Sequence, residues 1–180
     1  IRRNISEDGL SVSSSGLLGN TMVGKNNFSR PLKILEIGSG KGPFTREIIR
    51  RMSTDSTLDV CEIKSEYNPW IERLMEEHPH KQVKLHNGCV TSLLTAPELY
   101  DVIVSSLPLK NFTKMNDQNG FLYRLIEGFK FSLNDGGIYL QYQYFKSNKA
   151  DIEAVFGKEM DEIDFVPLNI LPAFVYSMTK

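Results

Sequence analysis

The chain is predicted to fold as an α/β domain: an open, mostly parallel seven-stranded sheet with helices on both faces and an antiparallel C-terminal hairpin. Three observations predict it. The apolar run Ile34, Leu35, Ile37 reads as a strand buried on both faces and leads into glycines 38, 40 and 42, then a helical pattern. Further apolar runs alternate with helical periodicities along the chain. The last two runs are joined by a short link without an intervening helix, which suits a hairpin.

Composition narrows the class. At 180 residues with 41% apolar residues, one ordinary domain can bury a full core. A net charge of −1 and dispersed basic residues give no field to attract nucleic acid. Cys61 and Cys89 read as small buried residues in a reducing compartment, so no metal is implied. No run approaches the roughly 20 apolar residues that span a bilayer, and no signal peptide is visible, which predicts a cytoplasmic protein without a transmembrane segment. The chain begins at Ile1 instead of Met, which predicts an upstream segment.

In chain order, residues 1–30 form an N-terminal lid segment, with a short helix expected from about Ser13–Ser15 through the apolar patch Leu17, Leu18, Met22 and Val23. It is read equally as a cap on the sheet or a cover over a ligand, and residues 31–180 form the main domain. Strand one runs from Leu32 to Ile37 and the first helix from Phe44 to Met52. Between them, glycines let the backbone take positive φ and let a ligand lie on the main chain at a helix N-terminus. The order Glu36-x-Gly38-x-Gly40-x-Gly42 is neither a dinucleotide G-x-G-x-x-G nor a phosphate-binding G-x-x-x-x-G-K-[ST].

Thr57–Ile63 is the second strand, and its Glu62 falls 20 positions after Gly42, where such sheets place a carboxylate for ribose hydroxyls. A helix spans Tyr67–Glu77, stopped at His78-Pro79-His80. The histidines are read as a solvated helix end. Gln82–His86 is strand three, followed by the turn Asn87-Gly88-Cys89-Val90. Tyr100–Ser106 is strand four, and the loop through Phe112 leaves its carboxyl end stiffened by Pro108, where an acceptor should sit. A helix over Asp117–Leu133 should stop at Asn134-Asp135-Gly136-Gly137, before the strand Ile138–Tyr142. A helix over Lys149–Phe156 and strands Glu162–Pro167 and Ala173–Thr179 close the chain.

The glycine turn with its preceding acid resembles motif I of class I S-adenosylmethionine-dependent methyltransferases, which have a Rossmann-like fold. Gly40-Lys41-Gly42-Pro43-Phe44-Thr45-Arg46, the loop Val104 to Phe112, Gln141-Tyr142-Gln143-Tyr144 and the ending Asn169 to Tyr176 are most similar to the soluble bacterial phospholipid (phosphatidylethanolamine) N-methyltransferases, relatives of the ribosomal RNA adenine dimethylases. Against that pattern, Ser106 replaces a glycine, Leu171 a proline, and Cys89 the acid on the adenine side.

The resemblance implies S-adenosyl-L-methionine held by Glu36, Gly38, Ser39, Gly40, Gly42, Glu62, Ile63, Gly88, Cys89, Val90 and Ser105. It implies acceptor chemistry at Ser105, Leu107, Pro108, Asn111, Phe112 and Tyr144. The partners it implies are a phospholipid substrate and an anionic membrane surface, met peripherally on the inner face of the membrane. Arg2, Arg3, Lys25 and Arg30 flanking the Leu17–Val23 patch are expected to supply that contact. An aromatic wall of Phe112, Tyr142 and Tyr144 would suit a methylated ammonium. An RNA adenine N6-methyltransferase is the first rival, although Leu109 stands where its stacking tyrosine would be. A small-molecule methyltransferase and a non-catalytic module of the same fold are the others.

Overall fold

The computed structural model describes residues 18–24, 26–114, 120–167 and 172–180. The strands are β1 (Lys33–Ile37), β2 (Thr57–Glu62), β3 (Gln82–Asn87), β4 (Tyr100–Ser105), β5 (Leu133–Gln143), β6 (Glu162–Val166) and β7 (Ala173–Thr179). The helices are α1 (Pro43–Arg51), α2 (Asn68–Glu77), α3 (Leu109–Lys114), α4 (Phe121–Ser132) and α5 (Lys149–Phe156). They build a seven-stranded sheet in the order β3-β2-β1-β4-β5-β7-β6. The first five strands run parallel, and β7 is antiparallel to both β5 and β6. The expected architecture is the observed one.

The order in which successive strands are added reverses between β1 and β4, the switch point where ligands enter such folds. Register aligns the carboxyl ends there: Ile37 lies opposite both Cys61 and Ser105, Glu62 opposite Asn87, and Ser105 opposite Gln141. Strand periodicity sorts the apolar residues onto two faces. Ile34, Leu58, Val60, Val102 and Val104 pack with α1 and α2, whereas Leu35, Ile37, Ile103 and Tyr139 pack with α4 and α5. In α1, Pro43 at the first turn fits the missing N–H, and Arg50 and Arg51 favour the negative end of the helix dipole.

Four expectations are corrected. Leu18, Met22 and Val23 lie in the core layer under α1 at 4%, 0% and 0% exposure, in a helical stretch over 18–23. Burial of apolar side chains against the sheet wins, so this patch caps the fold and is closed to a membrane. The rest of that expectation, at Arg2, Arg3, Leu17 and Lys25, lies outside the described residues, as do 115–119 and 168–171 of the helix start and the chain ending.

The second correction concerns the Asn134–Gly137 stop. Helix α4 ends at Ser132, Leu133 is already extended, and those four residues bulge within β5, since Tyr100 faces Leu133 but Val102 faces Ile138. The bulge is pinned by Gly136 N–H to the Lys180 carbonyl (3.2 Å) and Lys180 N–H to the Gly137 carbonyl (2.9 Å). Third, Leu109–Phe112 belong to α3 and not to a loop, and Leu109 is fully buried under α4. Fourth, Cys61 is buried but Cys89 is exposed.

Candidate functional site

The turn after β1 is held by the main chain. Gly38 N–H donates to the Cys61 carbonyl (2.9 Å) and Gly42 N–H to that of Ser39 (2.9 Å). Gly40 has φ +53 and faces open space: a Cβ built on it meets no atom within 4 Å. Gly42 differs, because a Cβ there would come within 2.9 Å of Ile71 and Leu74, so its missing side chain serves packing between α1 and α2. Gly88 also opens onto free space.

Glu62, at 5% exposure, is anchored from both sides: one carboxylate oxygen accepts from Gly40 N–H (2.8 Å) and the other from Lys64 N–H (2.9 Å). An ionised carboxylate has about four acceptor positions, so two remain for hydroxyls of a ligand. Its backbone carbonyl receives Gly88 N–H (3.0 Å) and the Asn87 side-chain amide (2.8 Å), which ties the third strand's turn to the second strand's tip.

Glu36 is the anomaly. It is fully buried and, among the described residues, neither carboxylate oxygen reaches a hydrogen-bond partner. Burial pushes its carboxyl up to about 7; the nearby Thr45 hydroxyl and backbone N–H offset part of this, and the Glu62 charge adds to it. A buried carboxyl with no formed hydrogen bond, near a backbone turn open at Gly40, is chemistry that a cationic group would complete.

On the other side of the switch point, Ser105 is fully buried and its hydroxyl accepts from Leu107 N–H (3.4 Å), so it shapes the turn from within. Ser106 N–H is held by the Ile37 carbonyl (2.9 Å), which sets Leu107 against Gly38. The sequence reading missed Gln141. Its side-chain amide donates to the carbonyls of Leu107 (3.0 Å) and Tyr142 (2.7 Å), and its oxygen accepts from the Tyr139 hydroxyl (2.5 Å). A glutamine within an apolar strand was the available signal.

Hydrogen bonds join Gly40 and Gly88 to Glu62, whose charge also acts on Glu36, and the Ser39 carbonyl holds Gly42; Ile63 is exposed (70%) next to Glu62 and Cys89 is exposed next to Gly88. Val90 instead packs into the core. The expected aromatic wall is split by the sheet. Tyr144 rests on Tyr142 (5.0 Å between ring centroids) and Tyr142 on Phe44 (5.8 Å) on one face, while Phe112 packs against Phe121 (5.6 Å) on the other. Pro108 and Asn111 bracket the start of α3, joined by Asn111 N–H to the Pro108 carbonyl (2.8 Å). Among the described residues no helix is long and apolar enough to cross a membrane, and no cluster of metal-ligating side chains occurs.

No family model matches the chain. It is 28% identical over 125 residues to a malonyl-[acyl-carrier protein] O-methyltransferase of Chlorobium luteolum, covering 69% of this chain and 44% of that protein. The chain thus spans less than half the length of that curated relative. Among solved structures, precorrin-6y C5,15-methyltransferase from Geobacter metallireducens superposes with a TM-score of 0.69 at 13% identity, covering 91% of this chain and 89% of that one. The [4+2]-cyclase SpnF superposes at 0.70 with 11% identity, covering 91% and 80%. The fold is that of the Rossmann-like class I methyltransferases, and the cyclase shows that the scaffold also carries other chemistry.

Proposed function

We propose that the chain is an S-adenosylmethionine-dependent methyltransferase, and that its acceptor is the amine of an ethanolamine phospholipid. The observation that carries the cofactor is a set of three neighbours: buried Glu36 with neither carboxylate oxygen in a formed hydrogen bond, the open backbone at Gly40, and Glu62 anchored with two acceptor positions spare. When bound, S-adenosylmethionine supplies a methyl group on a sulfonium. Glu36 would answer its ammonium, the Gly38–Gly40 backbone would receive its methionyl part, and Glu62 its ribose hydroxyls. Ile63 and the Gly88–Cys89 turn would flank its adenine.

Methyl transfer is an in-line displacement, so the protein's contribution is alignment. Ser105, Leu107 and Pro108 form the turn that would hold the acceptor opposite the cradle, and Gln141 clamps that turn by its bond to the Leu107 carbonyl. An acceptor ammonium must lose its proton first, which a partly desolvated carboxyl edge would favour, with Phe112 on one side of the sheet, Tyr144 on the other and Asn111 in α3. Tyr144, at 47% exposure, offers a ring face to the methylated cation.

A second reading has its own support. The malonyl-[acyl-carrier protein] relative is an O-methyltransferase, which favours a carboxylate acceptor on a long thioester arm. The RNA adenine alternative loses ground because Leu109 is buried and presents no face to a base. One assay separates them: the protein with labelled S-adenosylmethionine and separate pools of ethanolamine lipid, malonyl-acyl carrier and ribosomal RNA. Label in ethanolamine lipid is the expected result. Label in the carrier pool alone would move the assignment to a carboxylate, and label in RNA alone would overturn both.

A further inference from the structure

The face that meets a membrane was expected at the N-terminal patch, and the burial of Leu18, Met22 and Val23 removes it from there. Apolar surface reappears at the other end of the sheet. Phe145 (58% exposed) follows β5, Phe165 (54% exposed) is the penultimate residue of β6, and Phe174 lies on β7 directly opposite both Gln143 and Phe165. Phe165 and Phe174 form a ring pair at 5.2 Å. Two lysines lie across these rings: Lys110 Nζ sits 4.8 Å from the Phe145 centroid and Lys146 Nζ 5.3 Å from that of Phe174. Because β5 is parallel to β1 and β4, and β7 and β6 are registered on it, these groups share the carboxyl edge with the Gly40 cradle.

We infer that Lys110, Phe145, Lys146, Phe165 and Phe174 form a docking rim for an anionic lipid surface, placed so that the edge carrying the methyl donor faces the bilayer. The inference rests on the lipid-acceptor reading. Half-exposed rings with ammonium groups at their own level match the boundary between acyl chains and phosphates, where rings enter and lysines meet anionic headgroups. A nucleic acid fits worse, because the lysines occupy ring faces that bases would need for stacking. An amine carried in a bilayer would then reach the turn at Leu107 and Pro108 without leaving the surface.

The test uses the full 180-residue chain and vesicles of phosphatidylcholine with or without phosphatidylglycerol, read by co-sedimentation at low and high salt. The chain should partition onto the anionic vesicles, and added salt should release it. Lys110→Ser with Lys146→Ser should lower the partition constant roughly twenty-five-fold, at about fivefold per surface lysine, and Phe145→Ser with Phe165→Ser about tenfold. Calorimetric affinity for S-adenosylmethionine should be unchanged in the phenylalanine pair, which also controls for folding. Wild-type partitioning by both pairs, no partitioning by the parent chain, or capture by ribosomal RNA through the same residues would each overturn the rim. A dispersed short-chain phosphatidylethanolamine tests the acceptor apart from the surface. Label transferred to it by a chain that ignores vesicles sinks the rim and keeps the acceptor. Rim-dependent vesicle binding without lipid methylation does the reverse.

Discussion

The two halves of the sheet are built to different ends. In the β1–β2–β3 half, the carboxyl edge is stitched by the main-chain bonds Gly38 to Cys61 and Gly88 to Glu62 and by the Gly40 N–H to the Glu62 carboxylate, and leaves its open space at backbone. In the β4–β5–β7–β6 half, the same edge is made of side chains, with Leu109 and Phe112 packed inward and Tyr144, Phe145 and Phe165 turned outward. A site formed by backbone demands particular residues at fixed spacing; a site formed by side chains tolerates many sets of them. The first half should therefore govern cofactor binding, and the second should govern stability and choice of acceptor.

The strongest way to break that division is Gly40→Val. A side chain would fill the cradle, and a β-branched residue is strained at φ +53. Affinity for S-adenosylmethionine should fall at least about a thousandfold, roughly 4 kcal/mol by calorimetry. Retained affinity would remove the site from β1.

Leu109→Ala makes the opposite test. It empties a fully buried position in the other half and should cost about 2–5 kcal/mol in urea unfolding, while leaving cofactor affinity unchanged. Leu109→Asp would bury a charge at the same position and unfold the chain instead.

The Glu36 carboxyl sharpens the first half by pH. Its folded value of about 7 stands above the ordinary 4.5, so between these limits the folded chain holds a proton that the unfolded chain has released. This stabilisation is fully present below pH 4.5 and is lost as pH rises through 7, on the order of 3 kcal/mol. Glu36→Gln should flatten that part of the profile of unfolding free energy against pH. A cationic ligand draws the proton off, so S-adenosylmethionine affinity in the parent chain should rise with pH through about 7 and not in the variant.

Smallest of the four is Glu62→Ala, which removes charge-assisted bonds of about 1.5–3 kcal/mol from cofactor binding. A titration of the variant checks it. A larger loss would mean that the Gly40 turn collapses without its carboxylate anchor.

The same division explains what was legible. The seven strands, the terminal hairpin and the candidate positions Glu36, Gly40 and Glu62 follow from periodicity and spacing, because a backbone turn in contact with a ligand admits few residue types. The caps and boundaries of α4 and β5 were not, since Gly136-Gly137 signals a helix stop and a strand bulge equally well, and the bond to Lys180 that decides between them comes from the far end of the chain. The fate of Leu18, Met22 and Val23 was ambiguous for the same reason: an apolar stripe does not state whether a sheet or a lipid covers it. Gln141 was overlooked because its partners, Leu107 and Tyr139, meet it only once β4 and β5 are paired.

The placement of β7 between β5 and β6 has a consequence for biosynthesis. The interior strand follows both of its neighbours in the sequence, so until Ala173–Thr179 emerges from the ribosome β5 offers an open hydrogen-bonding edge and β6 has no partner in the sheet. The second half therefore cannot close until residue 179 has been made, and a chain ended or paused short of it is exposed to pairing with its neighbours on the polysome.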